Sequence, residues 1–293
     1  MTSDALRVRD LQKLGAGIGV TVLDGMSFTV PRGSICGMVG PNGAGKSTTL
    51  RVVMGLVFAK GSIEILGAPT PMSRATKERV AFVPETRTLY PFAKAGEMIR
   101  LTRSFYPAWD AALERRLVDD FAIPLDEQCK RLSKGMLARL WLVLVLCRNA
   151  DLLMLDEASD GLDPAALDLL QRTLIQQVAD RGATVLFSTH QLADVEQIAD
   201  RVVIVDRGRC VMEGAIDDLR QRYRVVRCAL DDEREPAPAA LASWRRDGRF
   251  LTGLSGDDPS VLADALTHAG ARVVDAQPAS LKDLFLAQVG RLA

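Results

Sequence analysis

The run Gly40-Pro41-Asn42-Gly43-Ala44-Gly45-Lys46-Ser47-Thr48 sets small residues, one lysine and two hydroxyls side by side. It fits the pattern GxxxxGK[ST]. A backbone that wraps closely around phosphate needs small residues, because Cβ atoms would collide there. Successive N–H groups and a helix N-terminus then point at the anion. In that arrangement Lys46 reaches the β- and γ-phosphates, and the Ser47 hydroxyl ligates Mg²⁺. A second constellation is Leu152-Leu153-Met154-Leu155-Asp156-Glu157. The apolar residues read as a buried strand with two carboxylates at its C-terminal end, where ligands of open α/β sheets bind. Asp156 is placed to hold the Mg²⁺ shell and Glu157 to polarise an attacking water. By itself such a strand is as well a strand meeting a solvated turn. The phosphate loop upstream favours the chemical reading. A third is Leu132-Ser133-Lys134-Gly135-Met136, in which a serine caps a helix start that can receive an anion. Alone it is a simple N-cap; its place between the other two is what gives it weight.

These residues need elements to hold them. Ser34–Val39 is a near-continuous apolar run, as expected of a strand buried on both faces. The glycine-rich turn follows it directly, then the helical stretch Lys46–Leu56, making a strand–turn–helix unit. Residues 6–30 read as strands, as do Ser62–Leu66 and Arg79–Val83. Residues 92–148 are helix-rich (Ala93–Phe105, Asp110–Phe121, Leu132–Arg148), punctuated by Pro107 and Pro124. Strands then resume at Leu152–Leu155, Thr184–Ser188, Val202–Val205 and Arg209–Met212, with helices Pro164–Arg181 and Gln191–Ala199 between them. The alternation predicts an α/β fold: a mixed, centrally parallel sheet, an antiparallel β N-terminal part and an inserted helical subdomain at about 86–150. After Arg220 the pattern changes. Tyr223–Leu230 alternates like a strand, and Asp231–Ala240 reads as a charged, Pro/Ala-rich loop. Phe250–Leu254, Val261–Ala269, Arg272–Ala276 and Leu281–Val289 suggest a small α+β unit. The expected division is 1–220 for the main domain and 221–293 for the accessory one, within the range that 293 residues allow.

Bulk properties exclude more than they assign. Lys plus Arg equals Asp plus Glu at 37 each, so no global charge advertises nucleic acid or anionic lipid. Cys36, Cys129, Cys147, Cys210 and Cys228 show no CxxC spacing, which argues against a disulfide framework or zinc site. Cys36 and Cys147 lie in apolar runs and read as small core residues. The N-terminal residues MTSDALRVRD do not resemble a signal peptide. The longest apolar run, Leu140–Cys147, falls short of the ~20 residues of a membrane-spanning helix. The expectation is a soluble cytoplasmic chain that reaches a membrane only through another protein.

Taken in order, these motifs resemble the nucleotide-binding domain of the ABC transporter superfamily. GPNGAGKST is similar to its phosphate loop, LSKGM to its signature motif and LLMLDE to its second nucleotide motif. Ser159-Asp160-Gly161-Leu162-Asp163 resembles its D-loop and Ser188-Thr189-His190 its histidine switch. The likeness covers residues 5–215. It implies an ATPase with ATP and Mg²⁺, working as two copies that sandwich two ATP molecules head to tail. It further implies that Lys46 of one copy and Ser133 and Gly135 of the other hold each γ-phosphate. Glu157 would be the base, His190 would contact the γ-phosphate, and Asp163 would join the sites across the dimer. Gly40, Pro41, Asn42, Gly43, Ala44, Gly45, Lys46, Ser47 and Thr48 would bind the nucleotide, and Ser47, Asp156 and Glu85 the metal.

Three positions depart from the family's pattern. Glu85 stands where Gln is usual, keeping an oxygen for Mg²⁺ or water but adding charge. Leu14 stands where an aromatic commonly stacks on adenine. Ala158 replaces the Pro that usually follows the catalytic Glu. The segments Ser104–Asp110 and Ala279–Leu286, together with LSKGM, resemble a narrower group, the ATPases of ABC-2-type exporters. Phe105, Tyr106 and Trp109 read as core of the helical insert, or as a groove for a cytoplasmic helix of a membrane subunit. Export through a separately encoded permease, by a homodimer or paired subunit on the inner face of the membrane, is therefore favoured. An importer ATPase with a C-terminal regulatory domain is the alternative. A soluble member acting on DNA or ribosomes is disfavoured, since no long heptad run and no second cassette are present. A regulator that binds ATP without hydrolysis is disfavoured by the presence of Lys46, Asp156, Glu157 and His190.

Overall fold

The structure is a computed structural model that describes residues 4–15, 20–231 and 240–290. Its centre is a six-stranded sheet built on β3 (Ile35–Val39), whose five residues are all buried. Parallel partners flank it: β8 (Thr184–Thr189) on one side and β9 (Arg201–Asp206) on the other. The sheet continues through β7 (Leu152–Asp156) and β6 (Val80–Val83), both parallel. It closes at the other edge with antiparallel β10 (Arg209–Ala215). A mixed sheet with a parallel centre is thus what forms. Every central strand is buried on both faces, which is why these segments read as unbroken apolar runs rather than alternating ones.

A second, antiparallel sheet is formed by β1 (Asp4–Leu14), β2 (Thr21–Pro31), β4 (Lys60–Ile65) and the short β5 (Ala68–Pro69), in the order β2-β1-β4-β5. Its inner face (Leu6, Val8, Leu23, Met26, Phe28) packs with α1 (Lys46–Val53) and the central strands in one apolar cluster. Each such side chain contributes ~1.5–3 kcal/mol on burial. The short helix α2 (Arg74–Glu78), capped by Ser73, precedes β6.

Between β6 and β7 come α3 (Ala95–Ser104), α4 (Ala111–Asp120), a 3-10 turn at Cys129–Arg131 and α5 (Lys134–Leu146). Leu140 and the run Leu142–Leu146 on α5, with Cys147 just after it, are buried in the main core cluster. A helix apolar all round is a buried helix. α5 therefore ties the helical stretch to the sheet and at the same time presents its Ser133-capped start at the surface. Phe105 does not join the core; it is 65% exposed, while Tyr106 and Trp109 are half-buried. Helix α6 (Pro164–Arg181) follows β7, capped by Asp163 with proline at its start and ended by left-handed Gly182. Helix α7 (Leu192–Ile198) follows β8.

Beyond α8 (Ile216–Arg222) lies a third, antiparallel sheet. It comprises β11 (Arg224–Leu230), β12 (Ala242–Asp247), β13 (Phe250–Ser255) and β14 (Ala271–Pro278), in the order β12-β13-β11-β14, with α9 (Pro259–His268) packed on one face. The last helix, α10 (Leu281–Gln288), buries Leu281, Leu284 and Ala287 in the same apolar cluster as Val195 of α7 and Ile204 of β9. Residues 232–239 of the Asp231–Ala240 loop lie outside the described residues. Helices α2 and α8 and strands β5 and β12 are not among the expected elements; α6 has its expected bounds, α1 ends at Val53 rather than Leu56, α9 begins at Pro259 rather than Val261, and the other helix ends lie within two residues of the expected ones. Charged, short segments such as Ile216–Arg222 lack the apolar period that marks a helix. No helix among the described residues is long and apolar enough to cross a membrane. Burial pushes the Cys36 and Cys147 thiols well above the ordinary range, as befits inert core residues.

Close packing at the end of β3 leaves no room for a side chain at position 40. A Cβ there would lie 2.2 Å from the Val205 carbonyl oxygen. Gly40→Ala is expected to lower stability by ~1–3 kcal/mol, the usual cost of overpacking. Urea unfolding of purified protein reads this directly; an unchanged midpoint would contradict the tight contact.

Candidate functional site

The turn after β3 runs over the start of α1. Gly45 sits at the N-cap with φ 106°, a left-handed conformation that only glycine adopts at little cost. No side chain caps this helix. Its first N–H groups are left for an anion instead, and the helix dipole favours negative charge at the same point. These groups line an open cleft of about 510 Å³ bounded by Val22, Asn42–Thr48, Glu85, Glu157, Asp160 and His190. A smaller groove of about 350 Å³ lies between α4 and α6; there Arg181 pairs with Asp110 and Arg116 donates to Gln176, and the groove carries none of this chemistry.

Lys46 is buried at the cleft floor. Its Nζ donates to the Gly40 carbonyl (2.8 Å) and the Pro41 carbonyl (3.3 Å) and stands 3.6 Å from Glu157 Oε1. Glu157 Oε2 meets His190 Nδ1 at 2.9 Å. A carboxylate only accepts, so Nδ1 carries the hydrogen and Nε2 is left for another contact. The Glu157 backbone is unusual, with φ +47° in a non-glycine residue. Its N–H donates to the Ser188 carbonyl (3.1 Å) and to Ser188 Oγ (3.2 Å), which holds the turn in place. Strain of this kind, of order 1–3 kcal/mol, gathers where a side chain must be aimed.

Next to this triad lies a second group. Asp156 Oδ1 accepts from Ser188 Oγ (2.7 Å) and Ser47 Oγ (2.9 Å). Asp156 Oδ2 is buried and has no partner among the described residues. Burial pushes the Asp156 carboxyl above the usual carboxylate range, against the two hydroxyl bonds. A buried, half-satisfied carboxylate beside a serine hydroxyl is a costly arrangement that a cation relieves. The donor set fits Mg²⁺, which takes one or two protein oxygens and fills its shell with water and phosphate. Glu85 Oε2 is 3.4 Å from Ser47 Oγ and 3.8 Å from Arg51, so the departing residue also reaches this group.

Of the residues singled out from sequence, Asn42–Thr48, Glu85, Glu157 and His190 line one cleft, and Asp156 sits directly behind Ser47. Gly40 and Pro41 contribute carbonyls to Lys46. Ser133, Gly135 and Asp163 do not line the cleft of their own chain. Ser133 caps α5 through the Met136 N–H at 3.2 Å, and Asp163 caps α6 while pairing with Arg139. Sequence reasoning missed Ser188 as the hub between Asp156 and Glu157, Asp160 at the cleft wall, and Asp194. The buried Asp194 accepts from Ser159 Oγ (2.9 Å) and Thr189 Oγ1 (3.1 Å), joining the two loops around His190. No spacing rule marks these contacts; each depends on two strand ends meeting. Leu14 is 71% exposed and offers no aromatic face.

Comparison with known proteins places the chain among relatives of one family. A family described as "ABC transporter" matches residues 23–160. The Nod factor export ATP-binding protein I of Burkholderia orbicola (strain AU 1054) is 35% identical over 92% of each chain. A solved ATP binding subunit of an ABC transporter superposes with TM-score 0.66 at 33% identity, covering 74% of this chain and 92% of that one. A dimeric ATP-binding cassette in a post-hydrolysis state, bound to ADP and Pi, shares the fold at TM-score 0.62 and 20% identity, over 72% of this chain and 98% of its own.

Proposed function

The chain belongs to the ABC transporter family of ATP-binding subunits and is an ATPase, and from that premise we propose that two copies close head to tail over two ATP molecules to drive export through a separately encoded membrane subunit. The observation that carries the hydrolytic part is the contact set Lys46–Glu157–His190 at the mouth of an uncapped helix. The triphosphate seats against the N–H groups of residues 43–48 and the Lys46 ammonium. Glu157 orients a water and accepts its proton while the water oxygen bonds to the γ-phosphorus. The bond to the β–γ bridging oxygen breaks and ADP departs with that electron pair. His190 keeps the Glu157 carboxylate aimed. Mg²⁺, held by Ser47 and Asp156 with Glu85 nearby, supplies charge neutralisation on the phosphates when bound.

Ser133 and Gly135 lie outside their own cleft, and this supports a role for them at the cleft of a second copy. The Ser133-capped start of α5 offers N–H groups to the far side of the γ-phosphate, and Asp163, which pairs with Arg139 of the same helix, joins the two sites. Residues 1–220 form the ATPase domain in this reading, with the stretch at about 86–150 inserted into it, and 221–293 form an accessory unit. The chain then sits on the inner face of the membrane by way of its permease. The relative that is an export ATP-binding protein favours export over import.

Chelation gives one test. With EDTA, ATP turnover is expected to fall to background while ATP still binds more weakly, and added Mg²⁺ restores it. Turnover indifferent to chelation would remove Ser47, Asp156 and Glu85 from a metal role. For the transport part, the tagged chain is pulled down from a detergent extract of the cells that make it. Co-elution of a multi-span protein with stimulated ATPase is expected. An active ATPase that binds no multi-span protein would defeat the reading.

A further inference from the structure

Arg87 follows Glu85 by two residues and belongs to no motif, yet it is the group that fastens the catalytic turn from below. Its Nη2 donates to the Glu157 carbonyl at 2.7 Å and its Nη1 to the Asp160 carbonyl at 2.8 Å. One planar fork thus spans both ends of the turn Glu157–Asp160, whose own closing bond runs from the Asp160 N–H to the Glu157 carbonyl at 3.1 Å. The guanidinium is half-buried and its Nε has no hydrogen-bond partner among the described residues. Such a group is retained at a cost in desolvation, which the two carbonyl bonds must offset.

The target of the fork matters. Glu157 holds φ +47°, and such a conformation persists only where neighbours over-determine it. Ser188 fixes the N–H side of the residue. Arg87 is the side-chain donor on its carbonyl side. Without it, the turn can relax and carry the carboxylate away from Lys46 and His190. The other end of the clasp continues outward. The Asp160 carboxylate accepts from Lys134 Nζ at 3.0 Å, and Lys134 is the first residue of α5 after Ser133. The Lys134 ammonium holds the Asp160 carboxyl below its ordinary range. A Cβ on Gly135 would lie 2.9 Å from the Gly161 carbonyl oxygen, so the helix start and this turn are in close contact.

We propose that Arg87 is a positioning residue for hydrolysis: its guanidinium, clamped on the Glu157 and Asp160 carbonyls, sets the aim of the catalytic carboxylate and links it to the Glu85 loop on one side and the start of α5 on the other. This rests on Glu157 being the base. Arg87 itself does not line the cleft, so it acts on turnover and not on nucleotide capture.

The test is Arg87→Ala in the full chain, with ATPase kinetics, ATP affinity and melting temperature measured together. kcat is expected to fall ~10–100-fold, the cost of a misplacement near 1 Å, with KM for ATP held within about threefold because ground-state binding is untouched. Arg87→Lys should stay close to the alanine value, since a point charge cannot span two carbonyls. Millimolar guanidine added to Arg87→Ala should return part of kcat, which a role in general folding stability would not permit. Arg87→Gln, which keeps part of the aliphatic stem and a neutral amide donor, replaces alanine if that variant does not fold. A kcat within twofold of the parent overturns the proposal, as does a loss shared equally by kcat and ATP affinity with no rescue by guanidine. Glu157→Gln is assayed beside it. If Glu157→Gln hydrolyses normally, the base assignment fails; if Glu157→Gln is silent while Arg87→Ala is normal, the clasp alone fails.

Discussion

Glu157→Gln is expected to bind ATP, to accumulate as a dimer and to lose steady-state turnover by ~10²–10⁴-fold, the range that a positioned general base supplies. Glutamine keeps the size of the side chain and can still lie between Lys46 and His190. It cannot take a proton from water. It also removes a negative charge that stands 3.6 Å from Lys46, so the lysine is freed for the γ-phosphate and the closed complex gains stability. Light scattering with ATP and a phosphate-release assay measure the two effects on one sample. Phosphate release at the parent rate would remove Glu157 from the base role, and a variant that stays monomeric at saturating ATP would question the closed dimer.

The second large effect is expected from Ser133→Arg. Ser133 lies outside the cleft of its own chain. A protomer carrying the substitution should therefore bind ATP with parent affinity, and yet neither dimerise with ATP nor turn it over above about one per cent of the parent rate, a loss of the size expected when transition-state charge loses a donor. The bulky cation would occupy the space that a partner's phosphate must enter. Loss of the cap itself costs about 1 kcal/mol, so a melting curve separates poor folding from poor closure. Lys46→Ala gives the contrast: it should weaken ATP binding ~10–100-fold, because a charge-assisted bond to phosphate is removed. Equal loss of ATP affinity in both variants would mean that Ser133 acts within its own chain.

Legibility from sequence followed the kind of constraint involved. The phosphate loop could be read because backbone geometry dictates residue type there: left-handed Gly45 and crowded Gly40 admit no side chain at low cost. The central strands could be read because burial on both faces demands apolar runs. Asp156 and Glu157 followed from standing at the end of such a strand. Strand β12 escaped because Trp244, Arg245 and Asp247 are exposed on it, so no alternation marks it. Arg87, Asp194 and the bridging role of Ser188 escaped for a different reason. Arg87 holds two carbonyls, Asp194 accepts from two hydroxyls, and Ser188 joins the Asp156 carboxylate to the Glu157 N–H; such contacts leave no period or spacing in the chain.

The burial of α10 has a practical meaning for anyone trimming the protein. Leu281, Leu284 and Ala287 complete the same apolar cluster that supports the helix behind His190. A shortened chain cut where the composition changes, near residue 220, would leave that helix facing water. Dead truncated protein would report a wounded scaffold, and a search for inhibitory or activating signals in the tail is better made with point substitutions on its exposed strands than with scissors.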